Sequence, residues 1–329
     1  MSSLEPNMWV VDGHNDLVSR TWRGDEVRHV HLDAAAEAGF AGGFFALFIP
    51  SPKPPNPSSA HYALPLPEPI PTDEAARVAE ELYDIFCDLP VELATSPADF
   101  GPGRVAAILH LEGAEPLAPD LSDLERWHER GLRSIGLVWS RANAFAEGVA
   151  FRFPSSPDTG PGLSAAGREL VRACNELGIL VDLSHLNEAG FWDVAGLSDA
   201  PLVATHSNAH ALCPSSRNLT DEQLDAIGAS GGVVGVNFAV SFLREDGAAE
   251  AATPLSEIVR HARYIADRIG IDHVAFGSDF DGALMPDELG GIAGFPKLLD
   301  ALGADGFDED AVAKIAHGNW LRVLGETWT

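Results

Sequence analysis

The side chains able to do chemistry in this sequence stand at the ends of apolar runs. His14 and Asp16 follow WVVD as a His-x-Asp pair. Glu112 closes the run VAAILHLEG, His185 closes ILVDLSH, and His206 sits in PLVATHS. Asp279 and Asp281 follow the last such run, HVAFG. Imidazole and carboxylate together suit zinc first, with manganese, cobalt or iron(II) tolerated. Each feature alone has a plainer explanation. His-x-Asp pairs are common, although residues two apart on a strand end do point to one side. Glu112 behind a buried strand must be paired, protonated or metal-bound, and an ion pair would satisfy it. Either later histidine alone is as well explained as a hydrogen-bonded core residue. Their recurrence in phase at strand ends is what points to a metal centre. Three nitrogen donors and at least two carboxylates exceed the three protein ligands of one open zinc site. They allow two divalent cations, about 3.5–4 Å apart, bridged by a carboxylate and a hydroxide. Glu112, central in the ligand order, is the natural bridge.

Such residues converge only if the elements carrying them share one end of a scaffold. Eight β-rich runs are apolar on both faces, as parallel strands buried between an interior and a helical shell must be: 9–14, 43–48, 105–113, 134–139, 179–185, 201–207, 232–238 and 273–282. Helical patterns separate many of them: Thr72 to Asp84, Ser122 to Arg130, Ser164 to Leu177, Thr220 to Ile227 and Thr253 to Ile269. Gly131, Gly178 and Gly270 are natural stops for three of these, and Thr220 is a natural N-cap. The alternation predicts an α/β fold, a single (β/α)8 barrel over 1–329 with its site at the C-terminal strand ends. The Pro-rich stretch 50–71 reads as a long loop after the second strand, on the same face.

Composition excludes several classes. Formal charge is 21 − 49 = −28, which repels phosphate backbones and anionic membranes and argues against nucleic-acid binding. Cys87, Cys174 and Cys213 are odd in number and scattered, so neither a disulfide framework nor a thiolate zinc site is expected. No signal-peptide pattern, bilayer-length apolar run or lipid-anchor signal is visible, and a soluble cytoplasmic protein is expected.

With these residues in hand, the chain resembles the membrane (renal) dipeptidase family of metallopeptidases, within the amidohydrolase superfamily. The segments that carry the resemblance are DGHNDL (12–17), GFAGGFFALFIP (39–50), HLEGAEPL (110–117), VDLSH (181–185), THSNAHALCPSSRNLTDEQL (205–224) and GSDFDG (277–282). The His-x-Asp pair, in place of the superfamily's commoner His-x-His, is a mark of this family. The resemblance implies His14 and Asp16 on one metal, His185 and His206 on the other, and Glu112 between them. It implies Asp279 as the proton-handling aspartate, with Asp281 left to stabilise the loop. It gives Arg217 the substrate's α-carboxylate, a task the guanidinium fork fits.

One position departs. The family's fourth strand often ends in a histidine that contacts substrate, and here GLVWSRANAF places Trp139 there. Ser140, Arg141 and Asn143 are the neighbours able to supply a substitute donor; a plain packing role is the other reading of Trp139. Trp139 and Asn143 are therefore taken as substrate-binding candidates. The implied reaction is amide hydrolysis of dipeptides or N-acyl amino acids by a metal-bridging hydroxide, with two zinc ions as cofactors. The partners implied are a small dipeptide-like substrate and, since related enzymes are often dimers, a second copy. Other amidohydrolase chemistry (on a lactone, a phosphoester or a base) and a non-catalytic metal-binding barrel are the rival readings. Arg217 argues against the first and Asp279 against the second.

Overall fold

The computed structural model describes residues 8–51 and 61–328. Eight strands pair in parallel and in chain order: β1 (Val10–Asn15), β2 (Phe40–Phe48), β3 (Ala106–Glu112), β4 (Leu132–Gly136), β5 (Leu180–Asp182), β6 (Val203–Ala204), β7 (Val233–Val236) and β8 (Val274–Phe276). The ring is nearly closed between β8 and β1. There Asn15 bridges Phe280, the Asp16 amide donates to the Phe280 carbonyl at 2.8 Å, and the Asp279 amide donates to the His14 carbonyl at 3.0 Å. The expected barrel is thus present.

The strands are buried on both faces because each faces two cores. In β3, Ala107, Leu109 and Leu111 belong to the outer core against the helices, while Ala106 and Ile108 belong to an inner one. This is the period-two alternation of a strand. The inner core also holds Phe44, Leu180, Val203, Val233 and Trp320, the last from the C-terminal helix. Trp320 donates its indole N–H to the Phe276 carbonyl at 2.9 Å and lies against Phe44, 4.9 Å between rings. Gly235 leaves space beside it, since a Cβ there would lie 3.1 Å from the Trp320 ring and 1.9 Å from the Thr205 carbonyl oxygen. Continuing up the inner face of β3 from Ile108 brings His110 and then Glu112 to the barrel mouth.

The main helices are α1 (Leu17–Trp22), α2 (Thr72–Asp88), α3 (Leu124–Glu129), α4 (Ala165–Leu177), α5 (Glu188–Ala195), α6 (Asp221–Ala229), α7 (Ser256–Ile269), α8 (Phe295–Ala304) and α9 (Asn319–Thr327). α2 runs a turn past its expected end because its apolar stripe continues to Phe86. It stops where Leu89, preceding Pro90, turns extended. α4 begins as expected, with Ser164 capping the Gly167 amide at 3.0 Å, and ends at left-handed Gly178. Thr220 and Gln223 form a capping box at α6. α7 starts later than expected, because the Thr253 hydroxyl donates to the Glu250 carbonyl at 2.6 Å rather than capping the helix.

Residues 52–60 of the expected Pro-rich loop lie outside the described residues. Beyond them, Tyr62–Ala63 pairs antiparallel with Arg152–Phe153 from the segment after β4. Among the described residues no helix is long and apolar enough to cross a membrane.

Candidate metal centre

The strand ends deliver five potential ligands to one point. His14 and Glu112 lie within β1 and β3, Asp16 follows β1, and His185 and His206 stand just beyond β5 and β6. Strands β5, β6 and β8 are shorter than the sequence pattern suggests, so His185, His206 and Asp279 sit on the turns that leave them. His185 and Asp279 have left-handed backbones, φ 68° and 61°, a conformation that costs energy in non-glycine residues and clusters at functional sites.

The distances divide Glu112 between two donor groups. Its Oε2 lies 3.6 Å from His14 Nε2, which is 3.5 Å from Asp16 Oδ2. Its Oε1 lies 3.1 Å from His185 Nε2 and 3.8 Å from His206 Nε2. His185 Nε2 and His206 Nε2 face each other at 3.1 Å. His14, Glu112 and His206 form one group with donor atoms within 4.8 Å of one another, and His14, Asp16 and Asp279 form a second. The two groups meet at His14. Both ring nitrogens of His14 are buried without a hydrogen-bond partner. A buried imidazole with no partner, and two imidazole nitrogens aimed at each other beside one carboxylate, are what cation ligands look like. The residues present fit divalent metal.

Surrounding hydrogen bonds aim these rings. Thr205 donates its hydroxyl to Asp182 at 2.6 Å, so that oxygen accepts from His206 Nδ1 at 2.8 Å and leaves the His206 Nε2 lone pair facing Glu112. Ser140 Oγ engages His185 Nδ1 at 3.1 Å and does the same for that ring. Burial, with Arg217 nearby, lowers His185 to about 4, and burial with His14 nearby holds His206 well below its ordinary value. Both are therefore neutral, as metal ligands must be. Burial opposes the charge on His14 too, but Glu112 and Asp16 beside it reverse the effect and hold it well above the usual range.

Asp279 faces the same space. Asn237, at the end of β7, donates to its Oδ2 at 3.0 Å. Burial, reinforced by Asp16 and Glu112 and opposed by His14, pushes Asp279 up to about 7. Asp281 points elsewhere. Its carboxylate accepts the amides of Arg28 at 2.8 Å, His29 at 3.3 Å and Val30 at 3.0 Å.

These groups open into a cavity of about 580 Å³. Trp139 lines it, with ring centroids 5.1 Å from Phe48, 5.4 Å from Phe151 and 5.8 Å from His185. Arg217 is buried beside it. Its Nη2 donates to the His206 carbonyl at 3.0 Å, its guanidinium lies 5.6 Å from the Phe242 ring centre, and its Nε has no partner. Two of the suggested donors do not reach the cavity. Asn143 spends its amide locally, donating to the Leu137 carbonyl at 2.9 Å and accepting from Phe145 at 2.8 Å. Arg141 is fully buried and paired with Glu115 at 3.0 Å. Of the two expected substrate-binding candidates, Trp139 lines the cavity, whereas the Asn143 amide is engaged in its own turn. Asn237 and Asp182 are absent from the sequence reading. Asn237 stands near the end of the apolar run GVVGVNF, so the strand-end argument extends to it; Asp182, in the middle of the run ILVDLSH, gives no such signal.

A parallel barrel that gathers imidazoles and carboxylates at its C-terminal mouth has the layout of a metal-dependent hydrolase. The chain belongs to the membrane dipeptidase family, peptidase family M19, whose family model matches residues 1–329. Its fold superimposes on a metallopeptidase from Rhodobacter sphaeroides, liganded with a phosphinate mimic of the dipeptide L-Ala-D-Ala. The TM-score is 0.91 and the identity 45%, covering 98% of this chain and 100% of that one. A Klebsiella pneumoniae protein from the pqqA 5′ region is 54% identical over 224 residues, 68% of this chain and 83% of its own length. Dipeptidase aclJ of Aspergillus oryzae is 30% identical over 339 residues, 96% of this chain and 78% of its own.

Proposed function

We propose that this enzyme hydrolyses the amide bond of small dipeptides, including those with a C-terminal D-residue, and related N-acyl amino acids. The observation that carries the reading is the split of the Glu112 carboxylate between His14 with Asp16 and His185 with His206, in front of Asp279. His14 and Asp16 would hold one divalent cation and His185 and His206 a second, with Glu112 shared. When bound, that pair, zinc by donor preference, supplies Lewis acidity and a hydroxide at neutral pH.

The chain's own residues do the rest. Asp279, poised near 7 and steadied by Asn237, takes the proton of the attacking water and returns it to the leaving amine. Arg217 receives the substrate's terminal carboxylate on its charged fork. Trp139, Phe151 and Phe242 wall the cavity and keep water from the reacting amide. Trp139 replaces a polar contact with an apolar one, which supports substrates held by their ends and side chains. The phosphinate mimic on the Rhodobacter neighbour supports the stereochemical part of the proposal.

The test is a hydrolysis screen with L-L, L-D and D-D dipeptides and their C-terminal amides, run with metal analysis of the same preparation. Turnover of free dipeptides above their amides is expected. Turnover of lactones or phosphoesters with inert dipeptides would replace this reading.

A further inference from the structure

The cavity is chemically two-sided, and the proposed chemistry uses only one side. In a chain with 49 acidic against 21 basic residues, Arg20, Arg23 and Arg28 fall within one short segment and all line this one cavity. The segment follows β1. Asp281, from the loop after β8, holds it over the mouth through the three backbone amides of Arg28, His29 and Val30. Asp281 also pairs with Arg20 at 3.6 Å, so that charge is answered. Arg23 is paired only with the half-exposed carboxylate of Asp25, 3.5 Å from its Nε, and that buried Nε makes no hydrogen bond. Arg28 is exposed, and no carboxylate pairs with its guanidinium among the described residues. Of the acidic residues lining the cavity, Asp16, Glu112 and Asp279 belong to the candidate metal centre, and Asp287 is exposed.

The opposite half of the mouth, formed by the segments after β4, β5 and β6, carries Trp139, Phe151, His185 and Arg217. In the ring order β1 stands across from β4 to β6, so a substrate whose terminal carboxylate is on Arg217 would lay its C-terminal side chain against this aromatic half and its N-terminal residue on the side of Arg23 and Arg28.

We infer that Arg23 and Arg28 form a second anionic subsite, which selects dipeptides whose N-terminal residue carries a carboxylate side chain and whose C-terminal residue is apolar or aromatic. The inference rests on the dipeptidase reading above. A guanidinium with no carboxylate hydrogen-bonded to it, beside a partly enclosed cavity, gains more from a carboxylate than from an amide of the same shape, because a charge-assisted contact is about twice as strong.

The experiment compares kcat/KM for Glu-Phe with Gln-Phe, and for the swapped pair Phe-Glu with Phe-Gln, each with L- and D-configured C-terminal residues. Glu-Phe is expected to exceed Gln-Phe about ten-fold. No such preference is expected in the swapped pair. The Glu-to-Gln ratio should fall toward one in Arg28→Gln and in Arg23→Gln combined with it, and should shrink with added salt. A wild-type ratio near one, a preference confined to the swapped pair, or a ratio that survives in the double variant would overturn the subsite while leaving the dipeptidase reading intact. Failure to cleave any of the eight peptides would overturn that reading, and the subsite with it.

Discussion

Asp279 and Asp281 lie two residues apart, both with left-handed backbones, φ 61° and 65°, yet their surroundings assign them different work. Replacing each with Asn separates the two. At Asp281 the carboxylate accepts three backbone amides and faces Arg20. Asn keeps one oxygen, able to serve the Arg28 and His29 amides, but turns an NH2 toward the Val30 amide. One buried donor is orphaned and the charge opposite Arg20 is lost, which costs about 3 kcal/mol by the usual values for hydrogen bonds to charged groups. At Asp279 the carboxylate has one side-chain donor, Asn237, and burial already disfavours its charge. Asn there costs little stability but cannot carry a proton. Losing a general acid–base group slows turnover by about 10²–10⁴-fold. Asp279→Asn should therefore unfold at the wild-type urea midpoint, keep its metal and lose kcat. Asp281→Asn should unfold earlier and, where folded, retain most of its kcat. Urea titration, metal analysis and steady-state kinetics on both proteins decide it. An active Asp279→Asn beside a folded but inactive Asp281→Asn would refute the assignment. Loss of metal from Asp279→Asn would make that residue a ligand rather than a proton carrier.

Three further outcomes follow. Glu112→Gln removes the charge shared by His14 and His185 while keeping the shape, so metal content measured by mass spectrometry should fall and activity with it. Arg217→Met should lower kcat/KM by about ten-fold or more for peptides with a free carboxylate, and not for their C-terminal amides; equal losses on both would make Arg217 structural. His261 is buried, accepts the Ala209 amide at 3.1 Å through Nδ1 and engages the Leu243 carbonyl at 2.9 Å, and burial lowers it from 6.5 to about 4. A depressed histidine stabilises the fold fully above its unfolded value and loses that contribution as pH falls toward the folded one. Denaturant unfolding should thus show about 2 kcal/mol of His261-dependent stability lost between pH 7.5 and 5, a loss reduced in His261→Gln.

Much of this was open to reading from residue order. Strands buried on both faces leave few places for an ionisable side chain, so His14, Glu112, His185 and His206 stand out against their apolar neighbours. Helix starts were legible where a local device fixes them, as at Ser164 and Thr220, and not at Thr253, whose hydroxyl turns back on Glu250. What escaped depends on contacts between distant segments. Nothing in GLVWSRANAF says that Arg141 folds away onto Glu115 or that Asn143 closes its own turn, whereas Trp139 reaches the cavity wall. Arg23 and Arg28 lie in a stretch without periodicity, and contacts from distant residues, Asp281 on three of its amides and the Ile292 amide on His29, bring that stretch over the mouth. Asn237 is an ordinary amide until Asp279 lies 3.0 Å away.

We propose that five side chains from four strand ends hold two divalent cations and that hydrolysis requires both. The most direct measurement titrates zinc into metal-free protein, following bound metal per chain and dipeptide turnover together. No turnover is expected without metal, and turnover should rise as binding approaches two ions per chain. Full activity in protein shown to be free of metal, or binding that stops at one ion with activity complete, would contradict it.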